Sequence, residues 1–205
     1  NVDVLTIGFA RRFTSYKRAD LIFSDLGRLL KICEKGKFQI LYAGKAHPKD
    51  TPGKDIIKKI IDLSKKVNDK IKIVFLKDYN IEMALKLVSG VDIWLNTPLR
   101  PREASGTSGM KAAHNGVINF SVLDGWWIEG HIEGITGWSI GPKPMESSLT
   151  NIIDAADADD LYHKLENIII PMYYHDRNQW IKIMKNSIGK IAYYFNSHRM
   201  MRRYV

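Results

Sequence analysis

Short, nearly unbroken apolar runs alternate with polar stretches through the first hundred residues. Residues 3–10 (DVLTIGFA), 38–44 (FQILYAG), 71–76 (IKIVFL) and 91–96 (VDIWLN) each read as a buried strand. Between the strands the apolar positions fall at helical spacing instead. Ile22, Leu26, Leu29 and Cys33 recur between the first two, Ile57, Ile60 and Ile61 between the next two, and Met83, Leu87 and Val88 before the fourth. Gly36 stands where the first helix should stop, and Pro52–Gly53 where the second should start. Strands this apolar need cover on both faces. The alternation therefore predicts a parallel sheet between helical layers, an α/β Rossmann-like unit with right-handed crossovers. A further strand is expected in VINFSV (117–122), then Gly- and Pro-punctuated loop over 125–151, then helices at 158–169 and 176–195. Trp180, Met184, Ile191 and Phe195 give the last helix an apolar stripe that reads as core packing. The expected division is an α/β domain over 1–175 and C-terminal helices over 176–205.

In open α/β sheets, ligands sit beyond the carboxyl ends of the strands. Three polar loops follow strands: ARRFTSYKR after the first, AGKAHPKD after the second and NTPLRPREASGTSGMK after the fourth. All three should gather on one edge. The first concentrates Arg11, Arg12, Lys17 and Arg18. Cations this close repel unless an anion joins them, and arginine forks with a mobile lysine suit phosphate oxygens. Pairing of two of the four with surface carboxylates, the others solvated, explains the density equally well.

The third loop runs Glu103, Ala104, Ser105, Gly106, Thr107, Ser108, Gly109 into a helix, with Lys111 one turn on. Small residues let a backbone come close to a ligand, and the free amides of a helix start attract anions. Thr107 and Ser108 add hydroxyls, and Glu103 an acceptor for a sugar or other polyol. An amine desolvated near other cations is nucleophilic toward a carbonyl, so a Schiff base between Lys111 and a phosphate-bearing aldehyde is one chemistry these parts serve. A P-loop is excluded, because the glycine spacing is wrong and Ala112 follows the lysine. The dinucleotide fingerprint fails as well, since GFARRF holds one glycine.

The 205 residues suffice for one large domain or two small ones, and 45% hydrophobic with 26% charged residues is an ordinary globular balance. No run approaches the ~20 apolar residues of a membrane helix, and no signal peptide opens the chain. One cysteine, Cys33, precludes an intrachain disulfide and fits a reducing, cytoplasmic setting. The start at Asn1 suggests a piece of something longer. The net charge of +9 is spread over solvent-facing lysines and the tail RMMRRYV, with no nucleic-acid signature beside it. No Cys, His and Asp cluster has metal-ligand spacing. His47 reads as a solvated loop residue and His114 as packing. Trp126 and Trp127 read as core rather than sugar-stacking platforms, and Asp124 and Glu129 as candidate interdomain contacts.

GFARRFTSYKRADL, EASGTSGMKAAHNGVINFSVLDGWWIEG and FNSHRMMRRY closely resemble the α-glucan (glycogen and maltodextrin) phosphorylases in their short prokaryotic form. The resemblance implies the C-terminal half of an enzyme with two Rossmann-like domains, the glycosyltransferase B-type architecture, and pyridoxal 5'-phosphate as coenzyme. It makes Lys111 the Schiff-base lysine. It places Arg11, Lys17, Tyr79, Gly106, Thr107 and Ser108 on the coenzyme. It assigns Arg12 and Lys17 to the substrate phosphate, and Tyr16, Glu103, Ala104, Ser105 and Gly106 to the glucosyl unit. Thr14 departs from the histidine of the animal enzymes and receives no role. The implied partners are an α-1,4-glucan, inorganic phosphate, glucose 1-phosphate and the N-terminal domain of the same enzyme, with no nucleic acid, membrane or metal; homo-oligomerisation stays open. The implied chemistry uses the coenzyme's own phosphate as proton donor and acceptor. Two other readings remain: a nucleotide-sugar glucosyltransferase resembling glycogen synthase, and a non-catalytic glucan-binding remnant.

Overall fold

The structure, a computed structural model, describes residues 1–142 and 150–205. Among these, a six-stranded, wholly parallel sheet forms the middle layer. Its strands are β1 (Leu5–Ala10), β2 (Phe38–Ala43), β3 (Lys72–Leu76), β4 (Ile93–Asn96), β5 (Ile118–Val122) and β6 (Gly137–Ile140), ordered β3-β2-β1-β4-β5-β6. Ile7 fixes the register at the centre, paired with Ile40 on one side and Ile93 on the other. The helices α1 (Leu26–Lys35), α2 (Thr51–Val67), α3 (Ile81–Gly90) and α4 (Thr107–His114) make the crossovers.

Side chains alternate across the pleat, so each strand feeds two layers. Leu5, Ile7, Phe9, Ile40, Tyr42, Ile93 and Phe120 enter the larger core with Leu29 and Ile32 of α1. Ala10, Ala43 and Trp94 face the other way, onto Leu87 and Val88 of α3 and Ala112 of α4. Ile22 does not continue the α1 stripe; it sits in a separate 3-10 turn, Leu21–Phe23. Asp25 stops that turn from joining the helix by accepting the Arg28 amide as N-cap.

Residues 125–151 are not all loop. They hold the short helix α5 (Trp127–Gly130) and β6, while 143–149 lie outside the described residues. Four residues cannot show a periodicity; β6 exists because it docks on β5 and because Trp138 packs 5.7 Å from Trp180. The helix expected over 158–169 starts earlier and runs further. It comprises α6 (Thr150–Lys164), a π segment (Leu165–Ile169) and α7 (Ile170–His175). Pro171 has no amide to give, and the π segment absorbs the lost bond without ending the helix. The next helix is α8 (Arg177–Asn186) followed by a second π segment (Ser187–Ala192), and α9 (Ser197–Tyr204) closes the chain. Trp180 and Ile183 belong to the main core, whereas α9 buries no residue. Among the described residues no helix is long and apolar enough to cross a membrane.

Candidate active site

The chain leaves β1 toward β2 on one side and reaches β4 on the other. The crevice beyond their carboxyl ends is therefore the topological switch point, where ligands bind in such sheets. The loops after β1 and β4 meet there and are stitched together. The Leu99 amide donates to the Tyr16 carbonyl at 2.7 Å, and the Thr97 hydroxyl reaches the carbonyls of Lys17 (3.0 Å) and Arg18 (2.9 Å).

Arg11 Nη2 donates to Glu103 Oε2 at 2.8 Å, and Lys17 Nζ meets the same oxygen. Lys17 is buried and the other two side chains nearly so: 9% exposed for Arg11, 8% for Lys17 and 11% for Glu103. Burial pulls the Arg11 pKa down, opposed by the Glu103 charge. Arg11 Nε and Nη1 have no partner among the described residues. Lys17 Nζ also sits 4.6 Å from the centre of the Tyr16 ring. Tyr79 is half-buried near Arg11; desolvation raises its hydroxyl pKa and the guanidinium charge opposes the rise. Thus Arg11, Tyr16, Lys17, Tyr79 and Glu103, scattered over three segments of sequence, form one cluster.

The glycine-rich loop is pinned from behind. The Glu103 amide donates to Asp124 Oδ2 at 2.8 Å, and the Trp126 amide to the Ser105 carbonyl at 2.8 Å. Asp124 is thereby corrected from an interdomain candidate to a buried anchor of this loop. Its signal was available in the Asp-Gly pair directly after a buried strand. Trp126 and Trp127 are buried and cannot present a face to sugar. Gly106, at φ +84, turns the chain into α4, and a side chain there would be strained as well as pressed against Trp126 Cδ1 at 3.3 Å.

Thr107 opens α4, and Lys111 lies exposed one turn later. Both line a pocket of about 860 Å³ with His114 and Glu129, whose opposite wall is α9, including Arg199 and Arg203. His114 Nε2 lies 3.0 Å from the Phe195 carbonyl. The structure does not bring Lys111 against Arg11, Lys17 or Glu103. Gly106 shares a small cavity with Arg11 and Glu103, while Thr107 and Lys111 face the larger pocket. Ser108 Oγ accepts a bond from Trp94 Nε1 at 3.3 Å and keeps its own proton to donate. Ala104, Ser105 and Arg12 are exposed, and Arg12 makes no ion pair among the described residues. Arg18 points away from the cluster to two carboxylates on α6, the buried Asp157 and the exposed Asp154. Among the described residues, three of the four cations in the first loop are therefore paired and one, Arg12, is not. His47 is exposed on its loop, its Nδ1 accepting the Lys49 amide at 3.2 Å. Among the described residues no group of His, Cys, Asp and Glu could hold a metal ion.

The sequence profile of the family described as carbohydrate phosphorylase matches residues 9–134, which hold every member of this cluster. The chain belongs to the carbohydrate phosphorylase family. Over 205 residues it is 49% identical to maltodextrin phosphorylase of Thermococcus litoralis, a match covering 99% of this chain and 24% of that protein. It is 48% identical over 210 residues to glycogen phosphorylase of Aquifex aeolicus, covering 99% of this chain and 30% of that protein. Glycogen phosphorylase of Mycobacterium bovis is 39% identical over 210 residues, again 99% of this chain and 24% of that protein. This phosphorylase domain therefore spans only about a quarter to a third of the length of these relatives.

Proposed function

We propose that this chain is the coenzyme- and phosphate-binding part of an α-1,4-glucan phosphorylase, which cleaves glycogen or maltodextrin with inorganic phosphate to α-D-glucose 1-phosphate. One observation carries the reading: two largely buried cations, Arg11 and Lys17, share a single carboxylate oxygen beside a glycine-opened helix start, with two guanidinium nitrogens left over. A site with surplus charged donors favours an anion, and unmet donors inside a protein are costly.

These residues fit pyridoxal 5'-phosphate. Arg11, Lys17, Tyr79, Gly106, Thr107 and Ser108 would hold it, and Lys111, exposed toward a pocket of about 860 Å³, would anchor it covalently. Bound there, the coenzyme supplies a phosphate able to give and take a proton. The protein's residues do the remaining work. Lys17 and Arg12 bind the substrate phosphate and offset the repulsion between neighbouring anions. Glu103 accepts a glucosyl hydroxyl, with Tyr16, Ala104, Ser105 and Gly106 around the same sugar. Glu103 is oriented for this from both ends, by Asp124 on its amide and by Arg11 and Lys17 on its carboxylate.

The residues at 176–205 are proposed to reach the N-terminal part of the same enzyme, which would cover the glucan. The buried single cysteine fits a cytoplasmic setting. Borohydride reduction of the full protein, then peptide mass mapping, tests the reading. The peptide bearing Lys111 should carry one reduced coenzyme. An unmodified Lys111 with a nucleotide diphosphate copurifying would instead establish a nucleotide-sugar transferase.

A further inference from the structure

Outside the cluster, the carboxylate of Asp157 on α6 is fully buried and bonded on both oxygens. Its Oδ2 accepts from Arg18 Nη2 at 2.6 Å and its Oδ1 from Arg100 Nη2 at 2.5 Å. Each guanidinium reaches further. Arg18 Nε and Nη2 donate to the carbonyls of Thr97 (2.9 Å) and Pro98 (2.8 Å), and Arg100 Nη1 to that of Pro142 (2.5 Å). The loops after β1, β4 and β6 therefore converge on one carboxylate. Gly141 sits so close, at φ +75, that any Cβ there would lie 1.7 Å from Asp157 Oδ1.

The chain geometry links this knot to the cluster. Arg18 follows Lys17 directly and is held at φ 45, ψ 49, a region sparsely populated for arginine that persists only where surroundings impose it. The Thr97 hydroxyl bonds the carbonyls of both Lys17 and Arg18. Lys17 is thus fixed through its backbone from the Asp157 side, while Glu103 is fixed through its amide from the Asp124 side. If the Arg18 anchor relaxes, Lys17 moves against a Glu103 that stays in place.

We propose that Asp157 is a positioning residue for phosphate binding: through Arg18 it sets where Lys17 stands relative to Glu103. The proposal rests on the phosphorylase reading above. Asp157 lies beyond the part matched by the family profile, in the acidic run DAADADD, which taken alone looks like a solvated helix face.

The test is Asp157→Asn in the full protein, with steady-state KM measured separately for phosphate and for maltodextrin and coenzyme content read by absorbance. The expected result is a rise of about tenfold or more in the phosphate KM, as sub-ångström misplacement of a binding group produces, with the maltodextrin KM within about twofold and coenzyme content unchanged. Asp159→Asn, which removes an exposed charge paired with Arg28 on the same helix, should change neither. If circular dichroism shows Asp157→Asn unfolded, Thr97→Val decides. It deletes the hydroxyl bonds to the Lys17 and Arg18 carbonyls at nearly constant size, and should give the same selective rise. Equal changes in both KM values, or no change, overturn the positioning role while the phosphorylase reading stands. A parent protein that forms no glucose 1-phosphate overturns both.

Discussion

Removing one partner from a buried ion pair costs about 3–5 kcal/mol, because the survivor stays desolvated and unpaired. Arg11, Lys17 and Glu103 thus bear on stability as well as on ligands. Arg12 does not: exposed, with no ion pair among the described residues, it can be truncated with a stability change of about 0.5 kcal/mol or less. Arg12→Ala should consequently fold normally, retain coenzyme and lose phosphate affinity. A charged hydrogen bond is worth about 1.5–3 kcal/mol, so the phosphate KM should rise roughly tenfold or more. Loss of coenzyme absorbance in that variant would reassign Arg12 to the coenzyme. Residue types alone made Arg11, Lys17, Glu103 and Lys111 candidates, with pairing to surface carboxylates an equally good account of the cations. They did not separate Arg18 from its neighbours. All four cations of ARRFTSYKR look alike in sequence, and only their partners in space set Arg18, on Asp154 and Asp157, apart from Arg11 and Lys17, on Glu103.

At the scale of elements, local chemistry explains the boundaries well. Asp25, Asp50, Asn80, Asp176 and Asn196 each accept an amide in the first turn of α1, α2, α3, α8 and α9. The element hardest to foresee, β6, is secured by a carboxylate as well as by β5. Glu133 accepts from the Ser139 amide (2.9 Å) and hydroxyl (2.7 Å), faces His131 at 2.6 Å and has Lys164 of α6 at 3.5 Å. Burial would push its carboxyl up, but these hydrogen bonds and the lysine charge outweigh it and hold the group at about 2, against an ordinary 4.5. A folded-state pKa below the unfolded value contributes stability that is complete above the ordinary pKa and lost as pH falls toward the folded one. The stability advantage of the parent over Glu133→Gln, from urea unfolding, should therefore be full at neutral pH and shrink between pH 4.5 and about 2. A constant difference across that window would dissociate Glu133 from the docking of β6. The run GITGWSI hides this strand because a four-residue edge strand is specified by its neighbours, not by its own alternation.

At the scale of the whole molecule, the sheet order places the basic loop and the glycine-rich loop side by side at the switch point, and α6 ties them from outside. The proposed chemistry still needs a glucan held against that edge. The 205 residues produced alone should release no glucose 1-phosphate from maltodextrin and phosphate, whereas the full protein should. Measurable phosphorolysis by the isolated chain would show that this part suffices. From the sequence alone follow the parallel α/β architecture, the edge on which the polar loops gather and the residue types of the candidate site. Each is a consequence of local periodicity, loop position or side-chain chemistry. Only the tertiary structure decides which charges meet: Glu103 with Arg11 and Lys17, Asp124 with the loop backbone, and Asp157 with Arg18 and Arg100. These partners lie between 21 and 139 residues apart, and crossovers bring them together. Ion pairing depends on distance and burial in space, which no local pattern encodes.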